Sequence, residues 1–451
     1  MKQSPRKYKI LKSKKTRRRR TRTHRNAIKL LGAAILVLVA GLITFAMMRS
    51  CSDEHDGEIA MEHKPAWSDT LTNAASEIAA LKPMDAEIER FMTRNGIKGM
   101  SLAISDHDSL IYAKGYGWAD QEKGQAMTPT SMMRIASASK LITAIAIMKL
   151  VDEGKIKLSD KVLGAGGILN DSIFTNVLGD PRMRDITVDQ LLMHRGGFTN
   201  RGGDPMFSVV DVVKRNGLDH APSSEEMARI ILQRKLGYEP GKGRRYSNFS
   251  YLLLSMIIEK VSGKNYYDFV TEQILTPAQA ANFKPGTNYY EDRHDGEVRY
   301  YGPDTIKVEE YNGSGRMVDR IYGGNDIYGL KGAGGWVASA PDLLRVVNSA
   351  DGVPGVSNVI TDRSIATMTT YDKKENYSRG WAQIDDDGSW IRTGTLASSH
   401  AYIQRFPDGQ CWVILTNSGN WRGASFSRDL KALVKDLRRR YSSKLPHRNL
   451  W

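Results

Sequence analysis

Residues 134–154 read RIASASKLITAIAIMKLVDEG, and the organisation of the chain is best read outward from them. Leu141, Ala144, Ile145, Met148 and Val151 recur at helical spacing, which predicts a long helix over about 137–153 with Gly154 as its stop. If Ser137 opens that helix, its hydroxyl sits at the positive end of the helix dipole, and Lys140 follows one turn later on the same face. A serine hydroxyl is a poor nucleophile until a neighbour takes its proton. A lysine can do so only where burial or nearby positive charge lowers its pKa. The spacing alone decides nothing, because Ser4-Pro5-Arg6-Lys7 shares it.

Upstream, Ile78, Leu81, Met84, Ile88 and Phe91 predict a helical entry that runs to about Asn95. A hairpin follows, with strands over 99–104 and 110–117 and a turn at 106–109. Downstream, helices are expected over 187–193 and 249–262 between long irregular stretches. Strands return over 380–384, 390–394, 401–406 and 411–417, the last two joined by the turn Pro407-Asp408-Gly409. An amphipathic helix over about 425–440 closes the domain. Strands from both ends of the chain around a helical middle predict an α/β fold of α+β type. Its antiparallel sheet is flanked by helices, and a mostly helical subdomain is inserted between the strands.

The 451 residues carry a formal net charge of +15, but its placement argues against nucleic acid. Residues 1–26 hold 13 Lys/Arg, Lys29 and Arg49 add two, and no acidic residue precedes Asp53. Removing those 15 from the 65 basic residues leaves 50, equal to the 50 acidic ones. A balanced globular part does not suit a nucleic-acid partner. The uncharged run LLGAAILVLVAGLITFAMM, residues 30–48, would span roughly 30 Å as a helix, about the hydrocarbon thickness of a bilayer. The expected organisation is a basic cytoplasmic tail (1–26), a transmembrane signal anchor (27–48), a linker (49–75), a domain (76–440) and a C-terminal tail (441–451). The positive-inside rule puts the domain on the extracytoplasmic side. A cleaved signal or a lipoprotein lipidated at Cys51 are the alternatives, and both leave the domain on that side. Cys51 and Cys411 imply neither a disulfide framework nor a zinc site, and the nine histidines show no metal-ligand spacing. No cofactor or metal is expected.

Two further motifs bear on the chemistry. Tyr246-Ser247-Asn248 precedes an apolar helix, and of the 19 tyrosines only Tyr246 has an Asn two residues on. A tyrosine near a lysine ammonium can have its pKa lowered and shuttle a proton between nucleophile and leaving group. Arg392-Thr393-Gly394-Thr395 ends a predicted strand. A glycine there permits close backbone approach, strand N–H groups can meet an acyl oxygen, and Arg392 can neutralise a carboxylate.

Ser-x-x-Lys, Tyr-x-Asn and Arg-Thr-Gly in this order resemble the serine β-lactamase and penicillin-binding-protein superfamily. The likeness is to the class C branch with its D,D-carboxypeptidase, D-amino-acid peptidase and esterase relatives. Thr187–Gly197 is similar to the family's T-hydrophobic-x-x-LL-x-H-T-S-G stretch, and Gly334–Leu343 to its GG-hydrophobic-x-S-T-x-x-DL stretch. The resemblance covers roughly 85–435. It implies a β-lactamase/transpeptidase-like fold and a serine hydrolase acting through an acyl-enzyme on an amide, peptide or ester. It further implies Ser137 as nucleophile, Lys140 as its proton partner and Tyr246 as general base and acid. The N–H groups of Ser137 and Thr395 would form the oxyanion hole. Asn248, Arg392, Thr393 and Gly394 would contact substrate, a small molecule or peptide.

The departures are Arg392 in place of the family's Lys or His, Arg195-Gly196-Gly197 in place of T-S-G, and a long charged stretch over 282–328. His194 is expected to brace a loop, and His400 to be structural or on the surface. The alternative function is a membrane-tethered acyl-binding sensor that turns over slowly or not at all.

Overall fold

The computed structural model describes residues 71–303, 305–354, 356–371 and 378–451. The expected tail, anchor, most of the linker and Cys51 lie outside the described residues. Among those described, no helix is long and apolar enough to cross a membrane.

The chain enters through helix α1 (Lys82–Asn95), ended by Gly96 in the left-handed conformation, and turns into strands β1 (Gly99–Asp106), β2 (Ser109–Asp120) and β3 (Gln125–Ala126). The helical half follows, built on α2 (Ser139–Asp152), α3 (Asn248–Ser262) and α4 (Ala340–Asn348). Strands β4 (Gln383–Ile384), β5 (Trp390–Leu396), β6 (Ser399–Arg405) and β7 (Gln410–Thr416) then complete the sheet, and α5 (Ser427–Tyr441) closes it. The sheet runs β3-β2-β1-β7-β6-β5-β4, so the first hairpin pairs with the last strand, in register from Met100↔Thr416 to Asp106↔Gln410.

Strand alternation divides the core. Leu102, Ile104, Trp412 and Ile414 face α1 and α5, where Ile88, Phe91, Leu430 and Val434 meet them. Ala103, Val413 and Leu415 face the helical half. The central helix is buried beyond the residues whose spacing predicts it, because Ser139 through Met148 are all buried. A helix apolar on all sides belongs inside the domain. It also starts later than expected, since Ala136–Ala138 forms a 3-10 turn and the α-helix begins at Ser139.

One buried side chain, Arg134, reaches several points of the 282–328 stretch. Phe283–Pro285 pairs with Trp336–Ala338, which pairs in turn with Met133–Arg134. From there the Arg134 guanidinium donates to the carbonyls of Ile321 (3.0 Å) and Thr287 (2.9 Å) and lies 4.4 Å from the Tyr300 ring. Residues 449–451 also pack on the domain: Leu450 N donates to Leu110 O, and the Trp451 indole donates to Asp108 O.

Replacing Arg134 with Met keeps the stem but removes both charged hydrogen bonds and strands two carbonyls. The expected loss is about 3 kcal/mol of stability, read by denaturant unfolding, with proteolysis of 286–323 preceding that of the rest. Unchanged stability and cleavage would remove Arg134 from this role.

Candidate active site

Ser137 is presented by a strained turn. Ala136 has φ +51°, a region that costs a non-glycine residue about 1–3 kcal/mol, and the 3-10 turn then feeds α2. Serine and lysine therefore sit at the mouth of the buried helix α2. On the other side, the Ser247 hydroxyl caps α3 by accepting from Ser250 N at 3.1 Å. That cap places Tyr246 just before the helix and Asn248 at its first residue.

Three polar groups converge on these side chains. The Tyr246 hydroxyl donates to Ser137 Oγ at 2.7 Å, and Lys140 Nζ lies 3.3 Å from the same oxygen. Lys140, with no exposed surface, also contacts Asn248 Oδ1 at 2.6 Å and the carbonyl of Ala333. The peptide before that carbonyl is held by both central helices: Gly332 O accepts from Thr143 Oγ1 (2.9 Å), and Gly332 N donates to Ser255 Oγ (3.0 Å). Asn248 Oδ1 and Ala333 O can only accept. A neutral amine has two N–H bonds for them, which leaves its lone pair for the Ser137 proton.

Electrostatics favour that neutral form. Burial pushes the Lys140 pKa well below the ordinary 10.5, the Arg392 charge adds to this, and the Asp204 carboxylate opposes it. Tyr246 departs from the expected lowering. Burial raises its pKa above 10, and the charge of Arg392 and the hydrogen bonds to Ser137 and Arg392 offset only part of that. These directions suit Tyr246 as the hydroxyl donor to Ser137 Oγ and Lys140 as the candidate acceptor of the serine proton.

Strand β5 forms the opposite wall. Arg392, 1% exposed, is placed behind the nucleophile: Nε donates to Ser137 O at 2.8 Å, Nη2 to the same oxygen, and Nη1 to Gly380 O at 3.1 Å. Its guanidinium pins the backbone of Ser137. A Cβ on Gly394 would lie 2.1 Å from Ile135 O and 3.1 Å from Ser137 N, so this glycine admits the nucleophile's own turn. Alternation puts the Thr393 and Thr395 side chains on the α5 face, where Thr395 Oγ1 meets His400 Nδ1 at 3.2 Å. Both threonines can therefore serve the site through their backbone. Among the described residues β4 pairs with Trp390 and Ile391 of β5.

The two histidines are braces. His194 is buried, accepts from Ser247 N at 3.2 Å through Nδ1, and packs its ring 4.5 Å from that of Tyr246. Burial pushes its pKa well below 6.5, and the charges of Arg392 and Arg244 add to this. Burial likewise brings His400 down to about 4. Two contributors escaped the sequence reading. Ala333 acts through a carbonyl, which has no sequence signal. Asp204 accepts from Asn248 Nδ2 at 2.7 Å, and its only trace is the helix-starting pair Asp204-Pro205.

These assignments predict a bell-shaped pH dependence of kcat/KM for any acyl substrate turned over. Activity falls as pH drops through the depressed pKa of Lys140, giving an acid limb well below pH 10.5. It falls again as pH rises through the raised pKa of Tyr246, above pH 10. Tyr246→Phe should lower the plateau by about 10²–10⁴-fold. A flat acid limb together with an active Lys140→Met enzyme would contradict the assignment.

A beta-lactamase family model matches residues 84–435. Protein flp of Staphylococcus aureus (strain MW2) is 27% identical over 338 residues, 74% of this chain. The match covers 62% of that relative's length. Among solved structures, a penicillin-binding protein homologue from Pyrococcus abyssi aligns with TM-score 0.60 at 24% identity, over 82% of this chain and 78% of its own. The D-amino acid amidase from Ochrobactrum anthropi SV3 aligns with TM-score 0.63 at 20% identity, over 81% and 99% respectively.

Proposed function

This chain belongs to the beta-lactamase family, and we propose that it is an extracytoplasmic, membrane-anchored serine hydrolase that cleaves an amide, peptide or ester through an acyl-enzyme on Ser137. The observation that carries this reading is Ser137 Oγ lying between the Tyr246 hydroxyl at 2.7 Å and Lys140 Nζ at 3.3 Å. Ser137 Oγ attacks the acyl carbon while Lys140 takes its proton. The oxyanion faces the N–H groups of Ser137 and Thr395; donors fixed in advance of charge development contribute several kcal/mol to lowering a barrier. Tyr246 then protonates the departing nitrogen or oxygen and regains a proton from Lys140. Water resolves the ester by the reverse relay.

The anchor rests on the uncharged run 30–48 and the basic residues before it. Candidate substrates are D-alanyl cell-wall peptides, β-lactams and simple esters. The names of the similar penicillin-binding protein homologue and D-amino acid amidase support that range. Because Arg392 is engaged with Ser137 O and Gly380 O, substrates without a carboxylate beside the scissile bond are favoured within it.

The test is labelling of the full chain in detergent with a fluorophosphonate and a fluorescent penicillin, alongside turnover of p-nitrophenyl butyrate and D-alanyl-p-nitroanilide. Label and turnover that both vanish in Ser137→Ala are expected. No label on the wild type, or undiminished label on the variant, would sink the reading. Stoichiometric label without turnover would favour the acyl-binding sensor.

A further inference from the structure

We propose that Asp204 is a positioning residue of this site: its carboxylate orients the Asn248 amide so that Oδ1 faces Lys140 and thereby aims the lysine lone pair at Ser137. The inference rests on the hydrolase reading and concerns a residue outside the three motifs.

Asn248 presents an oxygen on one end of its amide and an NH₂ on the other. An ionised carboxylate accepts only, so Asp204 Oδ2 takes the NH₂ end, at 2.7 Å. The oxygen end is then turned toward Lys140 Nζ, 2.6 Å away. A flipped amide would set the Asn248 oxygen against the Asp204 carboxylate. With Asn248 Oδ1 and the fixed Ala333 carbonyl occupying both N–H bonds of the neutral amine, the remaining direction is that of Ser137 Oγ. Asp204 thus specifies the direction of proton transfer without touching the reacting atoms.

The loop that carries Asp204 is built to hold it. Its second oxygen, Oδ1, accepts from Met206 N at 3.0 Å and caps the 3-10 turn Pro205–Phe207, which opens with Pro205. Four residues earlier, Asn200 Nδ2 donates to the carbonyl of Tyr246 at 3.4 Å. Gly202 and Gly203 between them have φ of +82° and +103°, a path that residues with a Cβ rarely follow. One loop therefore grips both Tyr246 and Asn248.

The charge of Asp204 has a separate, readable effect. The groups facing Lys140 are Arg392 from β5, Asp204 from its loop, His194 from the loop after helix Val188–Leu192, and Tyr246 and Tyr251 around the start of α3. Arg392 lowers the pKa of Lys140 and of Tyr246, and Asp204 raises both.

Three variants separate charge from orientation. Asp204→Asn keeps an oxygen for the Asn248 NH₂ group but loses the charge. Both limbs of the kcat/KM profile should move to lower pH. Asp204→Ala frees the amide, and kcat should fall by about 10–100-fold with KM changing less, as expected when a catalytic group is misaligned. Asp204→Glu should recover part of that loss. Thermal unfolding of each variant identifies any that fail to fold. Unmoved limbs in Asp204→Asn, with Asp204→Ala within twofold of wild type, would overturn the proposal. Crystal structures of wild type and Asp204→Ala give a readout independent of activity. Loss of the Asn248–Lys140 contact is expected, and an unchanged contact would overturn the proposal. A wild type that neither labels nor turns over would count against the hydrolase reading alone.

Discussion

The amino group of Lys140 is buried among Asn248 Oδ1, the Ala333 carbonyl and Ser137 Oγ, and the rest of the site depends on it. An ammonium taken out of water without a matching anion in contact costs several kcal/mol, so the group is more stable as an amine. Each surrounding element serves that outcome. Helix α2 carries the lysine into the interior, the start of α3 supplies Asn248, and the turn before Trp336 supplies the Ala333 carbonyl beside Gly332, which is bonded to both helices. Arg392 adds a positive charge that further disfavours the ammonium. The stability given up by burying a lysine is what provides a base near the serine.

The nucleophile is held by backbone more than by side chain. Ala136 turns through the left-handed region, Gly394 leaves room for the carbonyl of Ile135, and Arg392 clasps the carbonyl of Ser137. A larger residue at 394 would meet the turn before it met any substrate. The motif Arg392-Thr393-Gly394 therefore fixes the turn that carries Ser137. Arg392 keeps the positive charge of the Lys or His it replaces, but its planar fork binds a carbonyl with two nitrogens at once.

The sheet, its flanking helices and the order of elements were legible because they rest on local patterns. The 99–117 hairpin, the Pro407-Asp408-Gly409 turn and the 249–262 helix all appear within a few residues of their expected bounds. Ser137, Lys140, Tyr246 and Asn248 were also legible, through three motifs in order, and the structure brings these four side chains together. What the sequence hid is what depends on three-dimensional company. The burial of α2 on all sides arises from how neighbours wrap it. The raised pKa of Tyr246 reflects its burial, which arises only once distant segments pack together. The inward turn of Arg392 follows from strand register, and Asp204 and Ala333 act from loops whose sequence carries no periodic signal.

The central claim is that Lys140 is uncharged when it meets Ser137, and NMR titration of selectively labelled lysine Nζ and Cε in the intact protein tests it most directly. The Lys140 signal, assigned by its loss in Lys140→Met, should titrate well below 10.5, in step with the rate of Ser137 acylation. Its midpoint should rise when Arg392 is replaced by Met. A Lys140 signal titrating with the ordinary lysines, while acylation proceeds at neutral pH, would contradict the account.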